Sequence, residues 1–134
     1  MQLLFAFLAK FAESAQDGTI NAMGADFDRV AVGALPAKLD IWVVAKFHVG
    51  PEGIDNIYQA SLELADPENH VIALGNREIS SEGVPVEQAR VKGYKATMFV
   101  QIGIGIKAPG VYRVNLSVDG EQLKSWPLEV AKVG

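Results

Sequence analysis

The sequence predicts an all-β fold, an antiparallel β-sandwich of the immunoglobulin-like or Greek-key type with about eight or nine strands. Short runs rich in Val, Ile, Leu and Phe lie between turn signals along the whole chain. Several runs alternate apolar and polar residues with a period of two, which places every second side chain on one face of a strand. Residues 80–96 show neither period and predict a long connection between two sheets, with room for one helical turn.

Turn signals divide the chain at intervals that suit short strands. Pro presets a turn angle, Asp and Asn bond back to the backbone, and Gly adopts angles closed to other residues. These signals are Asp17-Gly18, Pro51-Glu52-Gly53, Asp66-Pro67-Glu68-Asn69, Ser81-Glu82-Gly83, Pro109-Gly110 and Asp119-Gly120. The sequence has no internal repeat, low-complexity tract or linker, so residues 1–134 are predicted to form a single sandwich domain.

The first predicted strand, residues 3–11, is apolar on both of its faces. A sandwich strand usually has one face in water, so the second apolar face must be covered by a loop of the same chain or by a second subunit. We expect a second subunit, in a symmetric homo-oligomer, because large exposed apolar patches are rare on monomers. One face carries Leu3, Phe5, Phe7, Ala9 and Phe11, and the other, which we assign to the interface, carries Leu4, Ala6 and Leu8.

The next long strand is predicted over residues 41–49, and its two faces differ. Ile41, Val43, Ala45 and Phe47 form an apolar face, whereas Trp42, Val44, Lys46 and His48 form the other. Because the second face mixes an aromatic side chain with polar groups, its Trp42 joins the candidate interface.

Two hairpins follow from the turns. Residues 57–65 and 70–79 are predicted to pair across the Asp-Pro turn. Residues 111–118 and 121–130 are predicted to pair across the last Asp-Gly turn, since Asp-Gly tolerates the positive φ angles of a tight primed turn.

The last strand contains signs of an irregularity. Pro127 cannot donate to a ladder of hydrogen bonds and predicts an outward edge or a bulge. The apolar phase also changes between Leu123 and Trp126, which supports a break in the strand. Earlier, Tyr112 opens a strand after Pro109-Gly110, a pattern similar to the tyrosine corner of immunoglobulin-like sandwiches.

The strand that ends near residue 106 carries two glycines on one face. Gly103 and Gly105 share that face with Gln101 and Phe99, opposite an apolar stripe at the even positions from 98 to 106. The glycines either relieve crowding or local twist, or provide a flat docking surface for another subunit or a ligand. They do not form a dinucleotide-binding fingerprint, which needs a third glycine three residues later at the start of a helix.

Composition excludes several classes of protein. Asp and Glu number 16 against 12 Lys and Arg, giving a net charge of -4, and the chain therefore lacks the basic surface of a general nucleic-acid binder. Cys is absent, so disulfide scaffolds, thiolate zinc sites and Cys nucleophiles are excluded. We expect no cofactor.

The N-terminal apolar run is short and no charge precedes it, so it predicts a buried strand rather than a signal peptide. No stretch approaches the roughly 20 apolar residues that span a bilayer. We therefore expect a soluble, cytoplasmic protein with no membrane partner.

Acidic residues and one tryptophan are candidate ligand-binding groups. Asp26 and Asp28 flank Phe27, and alternation would place both carboxylates on one strand face, where they could bind calcium. No stretch matches a calcium loop of alternating Asp residues with a closing Glu, and turn chemistry already explains the other loop Asp and Asn residues. Trp126 is the remaining candidate for contact with a small ligand.

Nothing in the sequence predicts a catalytic centre. His48 and His70 lie far apart in different predicted elements, and no nucleophile-base set accompanies either. We expect that the chain is not an enzyme.

Several motifs, spread over most of the chain, are similar to those of one known family. They are the opening apolar strand, the Asp66-Pro67 turn and three further motifs. The further motifs are Asn21-x-x-Gly24-x-x-Phe27-Asp28 after Asp17-Gly18, Pro109-Gly110-x-Tyr112 with Val118-Asp119-Gly120, and Pro127-Leu128-x-Val130. Through these motifs the chain resembles a family of short bacterial proteins of unknown function. The resemblance implies a sandwich fold and supplies no catalytic residues.

Together these observations predict a non-enzymatic interaction or assembly module that binds protein and self-associates through apolar strand faces. The predicted interface comprises Leu4, Ala6, Leu8, Trp42, Phe99, Gln101, Gly103 and Gly105. The alternative is a small-ligand-binding sandwich for a sugar, calcium or a lipid headgroup, with Trp42, Trp126 or the Asp-rich loops as its site.

Overall fold

A three-stranded sheet packs on a five-stranded sheet in the computed structural model, which describes residues 1–17 and 19–133. The described residues form ten strands rather than eight or nine: β1 (Gln2–Ala9), β2 (Phe11–Ser14), β3 (Ile20–Met23), β4 (Arg29–Val32), β5 (Ala37–Val49), β6 (Tyr58–Ala65), β7 (Val71–Ile79), β8 (Tyr94–Ile106), β9 (Gly110–Val118) and β10 (Glu121–Lys132). The count is higher because the predicted first strand breaks at Lys10 and because three of the strands have only four residues. The predicted sandwich is confirmed; Gly18, of the predicted Asp17-Gly18 turn, lies outside the described residues.

The sheets are almost entirely antiparallel. The smaller sheet has the order β1-β5-β8 and the larger one β4-β10-β9-β6-β7, while β2 and β3 form a separate hairpin. Strand β4 is the exception, because it pairs in parallel with β10. No helix among the described residues is long and apolar enough to span a membrane.

Alternating apolar residues fill the space between the sheets. The predicted stripe of β8, the even positions from 98 to 106, is buried, and β6 and β9 bury their even positions in the same way. These stripes meet the inward residues of β5 in one core cluster. Period-two patterning therefore placed the core of these strands correctly.

The long connection between β7 and β8 crosses from the larger to the smaller sheet, as predicted. It contains one short helix, α1 (Val86–Lys92), and ends at Tyr94. A second short element, a 3-10 turn at Pro51–Gly53, follows β5.

The irregularity predicted in the last strand is a β-bulge. The pairing of β10 with β9 shifts between Gln122 and Lys124, which leaves Leu123 as the extra residue and accounts for the change of apolar phase. Strand β4 pairs only with residues 129–132, so Pro127 lies where β10 pairs with β9 alone. Both observations agree with the sequence-based interpretation.

The two predicted hairpins are also present, and their turns have the expected chemistry. Asp119 and Gly120 both have positive φ, 49° and 84°, as a primed two-residue turn requires. In the other hairpin, Asp66 Oδ1 accepts hydrogen bonds from the backbone N–H groups of Glu68 at 3.0 Å and His70 at 2.8 Å. These bonds, led by the one from His70, lower the pKa of the Asp66 carboxyl below its ordinary value.

A tyrosine corner connects the start of β9 to the preceding loop. The Tyr112 hydroxyl donates a 2.8 Å hydrogen bond to the carbonyl oxygen of Ala108, four residues upstream. Tyr94 is also buried, but its hydroxyl has no partner within the described part of the chain. Burial, and secondarily Tyr58, raises the pKa of the Tyr94 hydroxyl.

The two tyrosines should respond oppositely to loss of the hydroxyl. We expect Tyr112→Phe to lower the free energy of unfolding by about 1 to 3 kcal/mol, because it leaves the Ala108 carbonyl without its donor. Tyr94→Phe should cost nothing or stabilise, since the hydroxyl is desolvated without compensation. Urea denaturation of both variants measures the difference, and equal losses would contradict the assignment of the corner.

The Asp66 turn should give the stability of the protein a defined pH dependence. A carboxyl whose pKa is lowered by folding stabilises the folded state above its unfolded pKa, near 3.8, and loses that contribution as pH falls through the lowered value. Asp66→Ala should therefore reduce the free energy of unfolding at pH 7, and the deficit should narrow below pH 3.8. Glu68→Ala is the matched control, because the Glu68 side chain is exposed. If the difference in free energy of unfolding between Asp66→Ala and the wild type is the same at pH 7 and below pH 3.8, the carboxylate does not have the proposed role.

Candidate functional site

The outer face of the three-stranded sheet carries most of the predicted interface residues. This outer face is defined by the side chains of β1, β5 and β8 that point away from the five-stranded sheet. Phe7, Val44 and Phe99 form one row across the three strands. Trp42 and Gln101 are direct neighbours in the next row. The structure thus brings residues from three distant segments together on one surface.

The β2–β3 hairpin covers part of the outer face. Ala12 of the hairpin packs with Ala9 and Val44, which are fully buried, and this small cluster is separate from the main core. A loop of the same chain therefore supplies some of the cover that the sequence required. The cover is incomplete, because Phe5 and Phe11 remain 40% and 43% exposed.

The aromatic side chains on this face contact one another. The rings of Phe5 and Phe7 are stacked with centroids 6.0 Å apart, and Phe11 meets Trp42 edge to face at 6.1 Å. Phe99 packs against the buried cluster from the β8 side and is half-buried. Paired aromatic rings of this kind present a large apolar area in a fixed geometry.

Beyond the aromatic rows the outer face is flat. Gly103 and Gly105 are exposed and pair with Asp40 and Lys38 of β5. A Cβ atom built on Gly105 would have no neighbour within 4 Å, and one on Gly103 would meet only the Asp40 carboxylate at 3.3 Å. Crowding within the described residues therefore does not account for the glycine at 105. We refer to these two residues as the glycine ledge.

Ala6 and Leu8 are not part of this surface, and their assignment to the interface is wrong. Leu8 pairs with Val43 and Ala6 with Ala45, so both point into the core with the inward residues of β5. Leu4 is 41% exposed because the pairing of β1 with β5 shifts between Leu3 and Phe5. Since both faces of β1 are apolar, alternation separated the two sets of residues without telling which set faces inward.

The acidic candidates lie in a loop and not on a strand. Asp26, with φ of 61°, and Asp28 belong to the exposed segment between β3 and β4, which contradicts the alternating strand predicted there. Its backbone is tied to both sheets: Asp26 N–H donates to the Leu8 carbonyl at 2.7 Å, and the Asp28 carbonyl accepts from Glu129 N–H at 2.8 Å. The loop connects the hairpin to β4 across the side of the sandwich.

Trp126 belongs to the core and cannot serve as a surface ligand group. Its side chain is among the buried residues, and its indole N–H has no partner within the described residues. The Lys124 ammonium lies 5.3 Å from the centre of its ring and donates a 3.1 Å hydrogen bond to the carbonyl of Ala6. Lys124 therefore covers an open edge of β1.

The two histidines are in separate environments. His48 Nε2 lies 3.2 Å from the carbonyl oxygen of Lys92. His70 Nδ1 lies 3.4 Å from Asp66 and 3.7 Å from Glu68, in an exposed turn whose geometry is already explained by backbone bonding. In residues 1–17 and 19–133, no three His, Asp or Glu side chains form a group that could hold a metal ion.

Comparisons with known proteins add a family and a fold. A model of a protein family described as a family of unknown function, DUF6941, matches residues 4–131. No curated protein matches the sequence. Among solved structures, a glycosyl hydrolase family 2 member from Bacteroides cellulosilyticus is similar with a TM-score of 0.50 and 11% identity, over 75% of this chain and 13% of that one. At this identity the likeness supports the sandwich-type fold alone.

A second solved structure is less similar. A β-glucosidase from Listeria innocua in complex with isofagomine has a TM-score of 0.46 and 15% identity, over 78% of this chain and 15% of that one. This chain therefore corresponds in length to only a small part of either enzyme.

Proposed function

We propose that this chain, which belongs to the family of unknown function DUF6941, is a non-enzymatic assembly module that self-associates through the outer face of its three-stranded sheet. One observation supports this most directly. Half-exposed aromatic side chains lie beside a glycine ledge on the same face, and nothing within the described chain crowds Gly105. Large apolar surfaces left open on one protein usually contact another.

The face is complementary to itself under two-fold symmetry. In an isologous interface the same patch serves both copies, so a protruding half must meet a recessed half. A two-fold axis in the plane of the interface, crossing β8 between Gln101 and Gly103, sets the two β8 strands antiparallel. Phe99 of one copy then lies over Gly105 of the other. Packed sheets are about 10 Å apart, and a Phe side chain facing a glycine fills such a gap.

The hairpin fits the same arrangement. Strand β1 ends at Ala9, opposite Trp42, so the part of the sheet that carries Asp40 and Lys38 has only β5 and β8. Antiparallel stacking brings the hairpin of one copy over this two-stranded part of the other. The hairpin then adds contact area instead of blocking the approach.

We also propose that the chain is not an enzyme, and that it assembles with a second copy rather than binding a small ligand. Of the residues on which the ligand-binding alternative rested, Trp126 is buried, and Asp26 and Asp28 lie in an exposed loop. Trp42 alone remains on the outer face, where it contacts Phe11. A second copy uses Trp42, Phe99 and the glycine ledge together.

Light scattering coupled to gel filtration tests the proposal. The wild-type mass should be about twice the 14.4 kDa of one chain. Gly105→Gln should return it to the monomer mass, because a Cβ atom at this position has open space around it within the described chain and the longer side chain would occupy the ledge. Replacing a strand glycine should not lower the free energy of unfolding, so loss of association would not reflect unfolding.

Gly33→Gln is the matched control. Gly33 also has open space around its Cβ position, and it follows β4 at the edge of the larger sheet. This variant should keep the wild-type mass. A wild-type protein that stays monomeric at high concentration, or a Gly105→Gln variant that still dimerises, would overturn the proposal.

A further inference from the structure

The two sheets leave a slot between their edges on one side of the sandwich. In the sheets formed by the described residues, β7 and β8 each have a hydrogen-bonded neighbour on one side only. The strands come together at Gly75, where a Cβ atom would lie 3.1 Å from Cγ1 of Val100. Beside this contact, residues 77–79 and 96–99 line a cavity of about 260 Å³. Its walls are therefore strand edges, which carry backbone N–H and C=O groups without ladder partners.

The floor of the slot is part of the hydrophobic core. Phe47, Ile79 and Met98 line it, and all three belong to the main core cluster. Ala96 and Thr97 form the β8 wall, where their small side chains leave room. An apolar side chain that enters the slot would leave water and extend the core.

The positively charged side chain of Arg77 lies at the rim of this apolar floor. Arg77 occupies an inward-facing position of β7, since it pairs with the buried Ala60 and lies between Gly75 and Ile79. Its guanidinium donates a 2.8 Å hydrogen bond to the backbone carbonyl of Asn76. Within the described part of the chain, no carboxylate lies within 4.0 Å of it. The neighbouring Glu78 accepts instead from Gln59 across the strand pair.

We propose that this slot binds an extended peptide segment of a partner protein, with an acidic side chain of the segment paired to Arg77 and an apolar side chain on the floor of the slot. Unpaired strand edges select a polypeptide, because only an extended backbone offers donors and acceptors at the matching spacing. The Arg77 guanidinium selects a carboxylate, with which it can form two parallel hydrogen bonds. Phe99 lines both the slot and the outer face, but Arg77 and the floor of the slot are not part of the self-association surface, and peptide binding does not depend on self-association.

Two peptides that differ in one charge test the proposal. Both are acetylated and amidated seven-residue chains of alternating Thr and Val, with either Glu or Gln at the centre. In nitrogen-15 NMR titrations of the full chain, the Glu peptide should shift the amide resonances of residues 77–79 and 96–99. It should bind about fivefold more tightly than the Gln peptide, as expected for a charge-assisted pair beside an apolar surface.

Variants identify the group responsible. Arg77→Gln should remove the preference for the Glu peptide, whereas Arg113→Gln, which removes a positive charge from the outer face of β9, should keep it. Gly105→Gln should leave peptide binding unchanged, so failure here and failure of self-association are distinguishable. The proposal is overturned if neither peptide shifts the slot resonances, if both bind equally to the wild type, or if the resonances of residues 77–79 in the Gly105→Gln variant change with protein concentration alone. That last result would identify a second copy as the occupant.

Discussion

The structure depends on the burial of β5 on both of its faces. Its inward residues, including Val43, Ala45 and Phe47, form the centre of the main core, while Val44 is fully buried on the opposite side. A central strand in a two-layer sandwich needs a second cover when both of its faces are apolar. Here the cover is the β2–β3 hairpin, which follows β1 after a single intervening residue. The position of the hairpin on the outer face follows from this requirement.

Sequence reasoning succeeded where one periodic signal had a single interpretation. The stripe of β8, both hairpins, the bulge at Leu123 and the tyrosine corner at Tyr112 were predicted from local patterns, because each pattern is satisfied by nearby backbone geometry. The orientation of β1 was not predictable in this way. Ala6 and Leu8 face inward because of their register with β5, which is set by a pairing of distant residues.

The site was predictable to a similar extent. Alternation assigned Phe99, Gln101 and the two glycines to one face of their strand, and Trp42 joined the candidate interface because its own strand face is mixed. The structure places all five on one face. Trp126 was wrongly assigned to a ligand site because the sequence does not show which way a bulge turns the residues that follow it. In the structure Trp126 and Leu128 lie on the same side of β10, which faces the core. The slot at Arg77 had only a faint signal, a charge at an inward-facing position of a strand.

The position of β10 in the larger sheet determines the order in which strands can pair while the chain is synthesised. Strand β10 lies between β9 and β4, and β4 has no other neighbour in its sheet as described. Residues 29–32 therefore cannot pair in a sheet until residues 129–132 have been synthesised, about a hundred residues later. During that interval β1 can already pair with β5, but the larger sheet that packs against them lacks β9 and β10. The inward apolar side chains of β1 and β5 are therefore fully covered only after translation has passed β10.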